Sequence, residues 1–154
     1  MKILGIGNAI VDVICKVDDS FIEKNNLTKS TMKLFFDENE FKQLLINLKI
    51  EKTVSGGSVA NSIVGLSQLG DKVGFIGKIS NDDFGDKYEK GLKKENVEYF
   101  YSKKKEELPT GTCLILITPD SERTMCTFLG TAGKINENDV NSDAIKKSEI
   151  VFLE

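Results

Sequence analysis

Short apolar runs alternate with longer amphipathic stretches along this 154-residue chain. Three apolar runs predict buried strands, at residues 2–6, 73–79 and 149–153. Between them, three stretches place apolar side chains at helical intervals, at residues 37–49, 58–70 and 82–97. Because strands that alternate with helices fold as a largely parallel sheet covered by helices, we expect an α/β fold.

The predicted helices carry residues that favour helix starts and stops. Asp37 is followed three residues later by Glu40, which is the pattern of a capping box. Gly70 stands where the second helix pattern stops, and glycine is the favoured residue just beyond a helix end. The third helix is weakened by Gly85 and Gly91 but keeps its amphipathic pattern.

Five further segments have strand-like composition, and several alternate apolar with polar residues, which suits a sheet with one face in water. They are residues 10–19, 31–36, 97–102, 110–120 and 123–129. Pro119, Asp120 and Ser121 supply a turn between the last two segments and predict a hairpin. We therefore expect a small antiparallel layer inserted between the α/β units, with strands roughly within residues 11–36 and 97–130.

Charge and hydropathy argue against two classes of partner. The net charge is −3, and lysines and acids are interleaved, so the basic surface that binds nucleic acid is not expected. No segment approaches the roughly 18 apolar residues of a membrane span. The apolar N-terminus is interrupted by Asp12 and lacks a small-residue cleavage site, so it does not read as a secretion signal. We expect a soluble, cytoplasmic protein without nucleic-acid or membrane partners.

The residue inventory also limits the chemistry. The chain has no histidine, which excludes catalytic triads that use imidazole as the base and zinc sites that need imidazole. The three cysteines are widely spaced in apolar runs and lack the CxxC spacing of a zinc site, so we expect buried, reduced thiols. No metal site is predicted.

The segment GIGNAI after the first strand begins like a dinucleotide-binding fingerprint. Ile10 occupies the place of the third glycine, and the following residues continue as a strand instead of a helix. A phosphate grip of that type needs a helix N-terminus at this point. A nicotinamide-dependent oxidoreductase is therefore disfavoured.

Asp12 lies in an otherwise apolar stretch, where a carboxylate is costly unless something satisfies it. One interpretation is a structural pair with a backbone group or a lysine. The other is a carboxylate at the carboxyl end of a strand, facing the crevice where α/β sheets bind ligands. Such a group accepts two hydrogen bonds from a vicinal diol, which is sugar chemistry. The residues alone leave both interpretations open.

The stretch SGGSVANS, residues 55–62, places two glycines at the start of an apolar helix. Gly56 and Gly57 allow the backbone to approach a ligand, and the free amides of a helix start are donors. Asn61 lies about one turn into the helix and offers both a donor and an acceptor. The alternative is a glycine-rich turn with Ser58 as the helix cap and Asn61 merely exposed.

Three of these segments together resemble a known family. GNAIVD at residues 7–12, GGSVANSIVGLSQLG at 56–70 and VGFIGKISNDDFGD at 73–86 resemble the N-terminal half of the PfkB, or ribokinase-like, sugar and nucleoside kinases. The resemblance implies a ribokinase-like parallel-sheet core with a small antiparallel β lid that closes over the substrate. It covers nearly the whole chain, so residues 1–154 are expected to be the N-terminal portion of a longer kinase.

The resemblance also implies substrate-binding residues. They are Asn8, Asp12, Gly56, Gly57, Asn61 and Arg123. Asp12 is expected to hold the sugar hydroxyls, with Asn8 as its neighbour in the pocket. Arg123, on a strand leading into the site, is expected near the acceptor or the transferred phosphate.

The same resemblance gives expectations for substrate and cofactors. GGSVANS is more similar to the adenosine kinase branch than to the ribokinase branch, which favours a ribonucleoside acceptor and leaves ribose or fructose open. ATP and Mg²⁺ are implied for the full-length enzyme, with a monovalent cation as a further candidate. The catalytic base and the nucleotide-binding loops belong to the C-terminal half, so the fragment alone is expected to be inactive.

Two further expectations concern an alternative function and the oligomeric state. A non-catalytic sugar-binding or nucleoside-binding module, regulatory in role, is the alternative to a kinase. An exposed lid sheet is a natural place for pairing, so a homodimer through the lid is expected.

Overall fold

The computed structural model describes residues 1–154, which form two sheets and five α-helices. The strands are β1 (Ile3–Ile6), β2 (Ile10–Lys16), β3 (Met32–Phe35), β4 (Ile50–Gly56), β5 (Val73–Ile76), β6 (Glu98–Tyr99), β7 (Gly111–Ile117), β8 (Arg123–Phe128) and β9 (Ile150–Leu153). The helices are α1 (Asp19–Lys24), α2 (Glu38–Ile46), α3 (Ser58–Gln68), α4 (Asp83–Lys94) and α5 (Ser142–Lys146). Two short 3₁₀ turns, η1 (Gly130–Lys134) and η2 (Glu137–Asp139), follow β8.

The core sheet contains four parallel strands in the order β6-β5-β1-β9. Helix α3 packs across β1, where the glycines of the GIG segment leave room for it. A Cβ atom on Gly5 would lie 2.5 Å from Cγ1 of Ile63, and one on Gly7 would lie 2.9 Å from Cγ2 of Val59. These two glycines therefore serve helix packing, and the residues that follow them form strand β2, as predicted, instead of a helix.

The second sheet, called the lid sheet below, has five strands in the order β3-β8-β7-β2-β4. The pairs β2–β4 and β7–β8 are antiparallel, whereas β2–β7 and β3–β8 are parallel. The layer predicted as antiparallel is thus a mixed sheet, with two antiparallel and two parallel strand pairs. Strands β2 and β7 both leave the core in the same direction, so they are parallel when they pair.

Two strand assignments differ from the predictions. Residues 97–102 were expected in the antiparallel layer, but β6 pairs in parallel with β5 at the edge of the core sheet. Helix α4 returns the chain to the core there, and the ring of Tyr99 stacks on Phe75 with centroids 6.4 Å apart. The edge strand β4 was not predicted, because its first residues are charged and exposed.

Most of the local predictions are confirmed, but the capping box at α2 is only half formed, because the Glu40 carboxylate bonds to Lys33 and not to the Asp37 backbone. Asp37 caps α2 by accepting a 2.8 Å hydrogen bond from the Glu40 backbone N–H. Gly70 follows the end of α3 with a φ of +95°, a conformation that favours glycine. Strands β7 and β8 form the predicted hairpin, and all three cysteines are buried and free. None of the helices combines the length and the apolar character needed to cross a bilayer.

Asp82 connects the core to the strand β7 of the lid sheet. Its carboxylate caps α4 by accepting a 2.8 Å bond from the Gly85 N–H. It also accepts a 2.8 Å bond from the Thr110 N–H and a 2.7 Å bond from the Thr110 hydroxyl. One carboxylate thus holds both the helix start and the residue immediately before β7.

We expect Asp82→Ala to lower the free energy of unfolding by about 2–4 kcal/mol, because it removes a helix cap, leaves the Thr110 N–H unpaired and leaves the Thr110 hydroxyl with only the Ser80 carbonyl at 3.4 Å. Asp37→Ala is the matched control, since it removes a cap of the same geometry without a second partner, and it should cost about 1 kcal/mol. Urea unfolding curves measure both values. Equal losses would contradict a connecting role for Asp82.

Candidate active site

Asp12 lies on the face of the lid sheet that is turned away from the buried core. The strand register places it in one row across the sheet with Val54, Cys113, Thr127 and Leu34. Its neighbours in sequence, Val11 and Val13, point to the opposite face and are buried. Asp12 is the third residue of β2, so the expectation that it stands at the carboxyl end of a strand is wrong.

The carboxylate of Asp12 is half-buried and accepts no hydrogen bond from any other residue of the chain. Burial raises its pKa from 3.8 to about 6, because the charged form loses solvation. A structural pair with a lysine or a backbone group, the first interpretation of the sequence, is absent. The carboxylate is left free to accept hydrogen bonds from a ligand.

Gly56 and Gly57 bring the end of β4 against the start of β2. A Cβ atom on Gly56 would collide with the carboxylate of Asp12, so the side chain of Asp12 lies directly on the glycine backbone. A Cβ atom on Gly57 would collide with the backbone carbonyl of Asn8, and Gly57 also has a φ of +101°. The structure thereby brings together four of the six predicted site residues, and both glycines are required there.

The start of α3 carries unused donors. Gly57 is the N-cap residue, and no side chain caps this helix. The N–H groups of residues 57–60 make no hydrogen bond within the chain. The alternative in which Ser58 caps the helix is therefore wrong. Unpaired donors at the helix start and the unpaired acceptor of Asp12 are therefore both next to Gly56.

Asn61 is exposed on the first turn of α3, where its N–H donates to the Gly57 carbonyl at 2.9 Å. Its side chain lines an open groove with Val54 and Ser55 and forms no hydrogen bond with Asp12. That groove is also lined by Lys87, Gly91 and Leu92 of α4 and not by Asp12 or Gly57, so the structure does not bring this side chain to Asp12 and its binding role stays a prediction.

Arg123 is placed elsewhere. It is exposed and pairs with Ile117 at the outer end of the β7–β8 hairpin, whereas Asp12 is level with Cys113. Four residues of strand correspond to roughly 13 Å. The structure does not bring Arg123 to the other predicted residues, and its binding role stays a prediction.

The apolar surroundings of Asp12 were not predicted from the sequence. Cys113, Thr127 and Leu34 share its row, and the Thr127 hydroxyl donates to Sγ of Cys113 at 3.2 Å. Burial raises the pKa of the Cys113 thiol, which therefore stays neutral. The next row of the same face consists of Ile14, Ile115, Met125 and Met32, with the charged Lys52 of the edge strand β4 at its end. The alternation of apolar and polar residues within each strand could have indicated which side chains share a face. The order of the strands in the sheet was also needed to show that these faces form one surface around Asp12.

A cavity of about 410 Å³ continues this apolar surface towards η1. Leu34, Phe36, Leu108 and Leu129 contribute apolar side chains to its wall. Ala132 of η1 packs with Cys113 and Ile10, which closes the surface on the core side. The site therefore offers one carboxylate beside an extended apolar wall.

The chain contains no cluster of three or more acidic or cysteine side chains that could hold a metal ion. Its residues therefore do not form a site that fits Mg²⁺. The groups that this site offers to a ligand are the unpaired carboxylate of Asp12 and the unpaired N–H groups at the start of α3.

Comparisons with known proteins show which family this chain is similar to. Residues 2–154 match the profile of a family described as pfkB family carbohydrate kinase. The chain is 28% identical over 120 residues to 5-dehydro-2-deoxygluconokinase of Mesomycoplasma hyopneumoniae, which covers 77% of this chain and 36% of the relative. It is 27% identical over 152 residues to adenosine kinase 2 of Arabidopsis thaliana, which covers 96% of this chain and 42% of the relative.

Among solved structures, adenosine kinase from Sinorhizobium meliloti superposes with a TM-score of 0.87 at 31% identity. The superposition covers 99% of this chain and 46% of that protein. The chain thus spans less than half the length of each of these three relatives.

The pKa of Asp12 gives a prediction about pH. Because the folded state binds this proton more tightly than the unfolded state, ionisation of Asp12 lowers stability as the pH rises from about 4 to 6. We expect Asp12→Asn to gain stability relative to the wild type between pH 4 and pH 8, by about 1–2 kcal/mol once partial solvent exposure is allowed for. Urea unfolding at both pH values measures this difference.

Asp18→Asn is the matched control, because Asp18 is an exposed carboxylate that also makes no hydrogen bond. Its unfolding curves at the same two pH values give the effect of removing a carboxylate outside the site. A constant difference between wild type and Asp12→Asn would contradict the raised pKa of Asp12.

Proposed function

Because the chain belongs to the PfkB family of carbohydrate kinases, we propose that the full-length protein transfers phosphate from ATP to a hydroxymethyl group of a sugar or ribonucleoside. This chain supplies the acceptor-binding half and the lid. The observation that carries the proposal is the unpaired carboxylate of Asp12, held next to the uncapped start of α3.

In the proposed complex, Asp12 accepts hydrogen bonds from two neighbouring hydroxyls of the acceptor, and the Gly57 N–H donates to one of their oxygens. Asn61 and Asn8 supply further donors and acceptors at the same end of the acceptor. These contacts hold the acceptor in a fixed orientation, which is the main contribution of positioning groups to phosphoryl transfer.

The acceptor we favour is a ribonucleoside similar to adenosine. A small sugar satisfies Asp12 but leaves the wall of Leu34, Met125 and Cys113 without a partner, whereas a nucleobase covers it. Apolar walls with a few placed polar groups are the usual environment of such ligands. The likeness to an adenosine kinase structure at 31% identity supports the same choice.

A free-sugar kinase is the second candidate. It is favoured by the match to 5-dehydro-2-deoxygluconokinase at 28% identity. Ribose and fructose belong to the same class of polyhydroxy acceptor. A coupled ATP-consumption assay with adenosine, ribose, fructose and 5-dehydro-2-deoxygluconate decides between the two classes.

A non-catalytic binding module is the third candidate, and the coding sequence beyond residue 154 separates it from a kinase. An in-frame glycine-rich segment similar to GAGD supports the kinase, since family resemblance assigns the anion hole and the base to such a segment. An in-frame stop codon supports the module. ATP, Mg²⁺ and a monovalent cation are proposed only for the full-length kinase.

A homodimer through the lid is also proposed, since β3 and β4 are the outer strands of the lid sheet and offer free edges. A cytoplasmic location and the absence of nucleic-acid and membrane partners stay predictions, as does the role of Arg123.

In the full-length protein, we expect Asp12→Ala to raise the KM for the acceptor about 30- to 100-fold, because two hydrogen bonds to a charged group are lost. Asn61→Ala should raise it about 10-fold, and the KM for ATP should change less than twofold in both variants. Asp18→Ala is the control and should leave both values unchanged. An unchanged acceptor KM in the Asp12 and Asn61 variants would show that the acceptor binds elsewhere.

The apolar wall gives a test of acceptor class. Leu34→Ala should raise the KM for adenosine about 3- to 10-fold, because it removes apolar contact with the base. The same variant should leave the KM for ribose unchanged, since ribose does not reach Leu34. Equal effects on the two acceptors would argue against a nucleobase on this wall.

A further inference from the structure

Tyr88 of α4 lies directly behind the acceptor site and is fully buried. Its hydroxyl donates a 3.2 Å hydrogen bond to the backbone carbonyl of Gly56. The opposite side of Gly56 carries the carboxylate of Asp12. Gly56 is therefore held between a side chain that binds the acceptor and a hydroxyl that does not reach it.

The contact between α4 and β4 is reciprocal. The hydroxyl of Ser55 donates a 3.0 Å hydrogen bond to the backbone carbonyl of Tyr88. Gly91 lies one turn further along α4, and a Cβ atom there would collide with the Ser55 hydroxyl. Helix α4 and strand β4 thus approach each other closely, and this contact fixes the positions of Ser55 and Gly56.

The peptide group that joins Gly56 to Gly57 transmits this contact. The carbonyl of Gly56 and the N–H of Gly57 belong to one planar trans peptide unit and point in opposite directions. Since the Gly56 carbonyl points towards Tyr88 of α4, the Gly57 N–H points away from α4. It is one of the donors that find no partner within the chain.

The hydroxyl of Tyr88 keeps its proton throughout the working pH range. Burial and, to a smaller extent, the negative charge of Asp12 raise the pKa of Tyr88. The hydroxyl is therefore a constant donor to the Gly56 carbonyl. Without it, the two-glycine segment loses its only side-chain hydrogen bond.

We propose that Tyr88 is a positioning residue for acceptor binding: its hydrogen bond to Gly56 orients the Gly57 N–H towards the acceptor and fixes the backbone on which the Asp12 carboxylate rests. This inference rests on the proposed function, in which Asp12 and Gly57 bind the acceptor. Tyr88 itself touches neither the acceptor nor the transferred phosphoryl group.

The test compares Tyr88→Phe with Tyr99→Phe in the full-length protein. Both variants remove only a tyrosine hydroxyl that donates to a glycine carbonyl, because the Tyr99 hydroxyl bonds to the carbonyl of Gly77. Gly77 neither contacts Asp12 nor adjoins Gly57. Thermal unfolding of both variants verifies that each still folds.

Tyr88→Phe should raise the KM for the acceptor about 3- to 10-fold and change kcat and the KM for ATP less than twofold. Tyr99→Phe should leave all three values within twofold of the wild type. The inference is wrong if the two variants change the acceptor KM equally, or if Tyr88→Phe lowers only kcat.

A second readout separates this inference from the proposed function. The ¹H–¹⁵N resonance of Gly57 should shift in Tyr88→Phe and not in Tyr99→Phe, and its amide hydrogen should exchange faster in Tyr88→Phe alone. If the wild-type protein phosphorylates none of the tested acceptors, the proposed function fails, and a Gly57 shift specific to Tyr88→Phe still supports the positioning contact. A Gly57 resonance that is unchanged in Tyr88→Phe overturns it.

Discussion

The close backbone approach at Gly56 and Gly57 is the constraint on which the rest of the structure depends. At Gly56, the missing side chain lets the Asp12 carboxylate lie on the backbone of β4. At Gly57, a φ of +101° lets the chain leave the lid sheet and start α3 against the carbonyl of Asn8. A side chain at Gly56 would displace the Asp12 carboxylate, and one at Gly57 would collide with the backbone of Asn8. The junction of lid and core, the position of the carboxylate and the helix start are therefore set by one pair of glycines.

Polar groups without partners at this junction lower the stability of the free chain. Asp12 is half-buried without a partner, and α3 begins without a side-chain cap, although α2 and α4 both have one. Unpaired polar groups of this kind destabilise a fold unless a ligand satisfies them. In the proposed complex, a substrate with two adjacent hydroxyls donates hydrogen bonds to the carboxylate, and its oxygens accept hydrogen bonds from the helix start. The unfavourable terms in the free chain thus become favourable contacts in the complex.

The sequence predicted the features that depend on neighbours within one turn of chain. The Asp37 cap, the helix end at Gly70 and the hairpin after β7 are of this kind, because their contacts join residues three or four apart. Strand pairing was predicted less well, since β4 and β6 find partners far away in sequence. Motif similarity identified Asp12 and the glycines. It gave no signal for Tyr88, which occupies an ordinary apolar position of an amphipathic helix until the fold places its hydroxyl beneath Gly56.

Under the proposed function, the apolar surroundings of Asp12 also determine how the site discriminates between acceptors. At neutral pH the carboxylate is mostly ionised, since its pKa is about 6. An acceptor that covers Leu34 and Met125 removes the remaining water from the carboxylate, so the hydroxyls of the acceptor must replace that water. An analogue that lacks one hydroxyl leaves a charged oxygen buried without a donor, which costs far more than the lost contact alone. Apolar wall and carboxylate therefore act together: the wall makes binding favourable for a large acceptor, and the carboxylate then restricts binding to one that carries both hydroxyls.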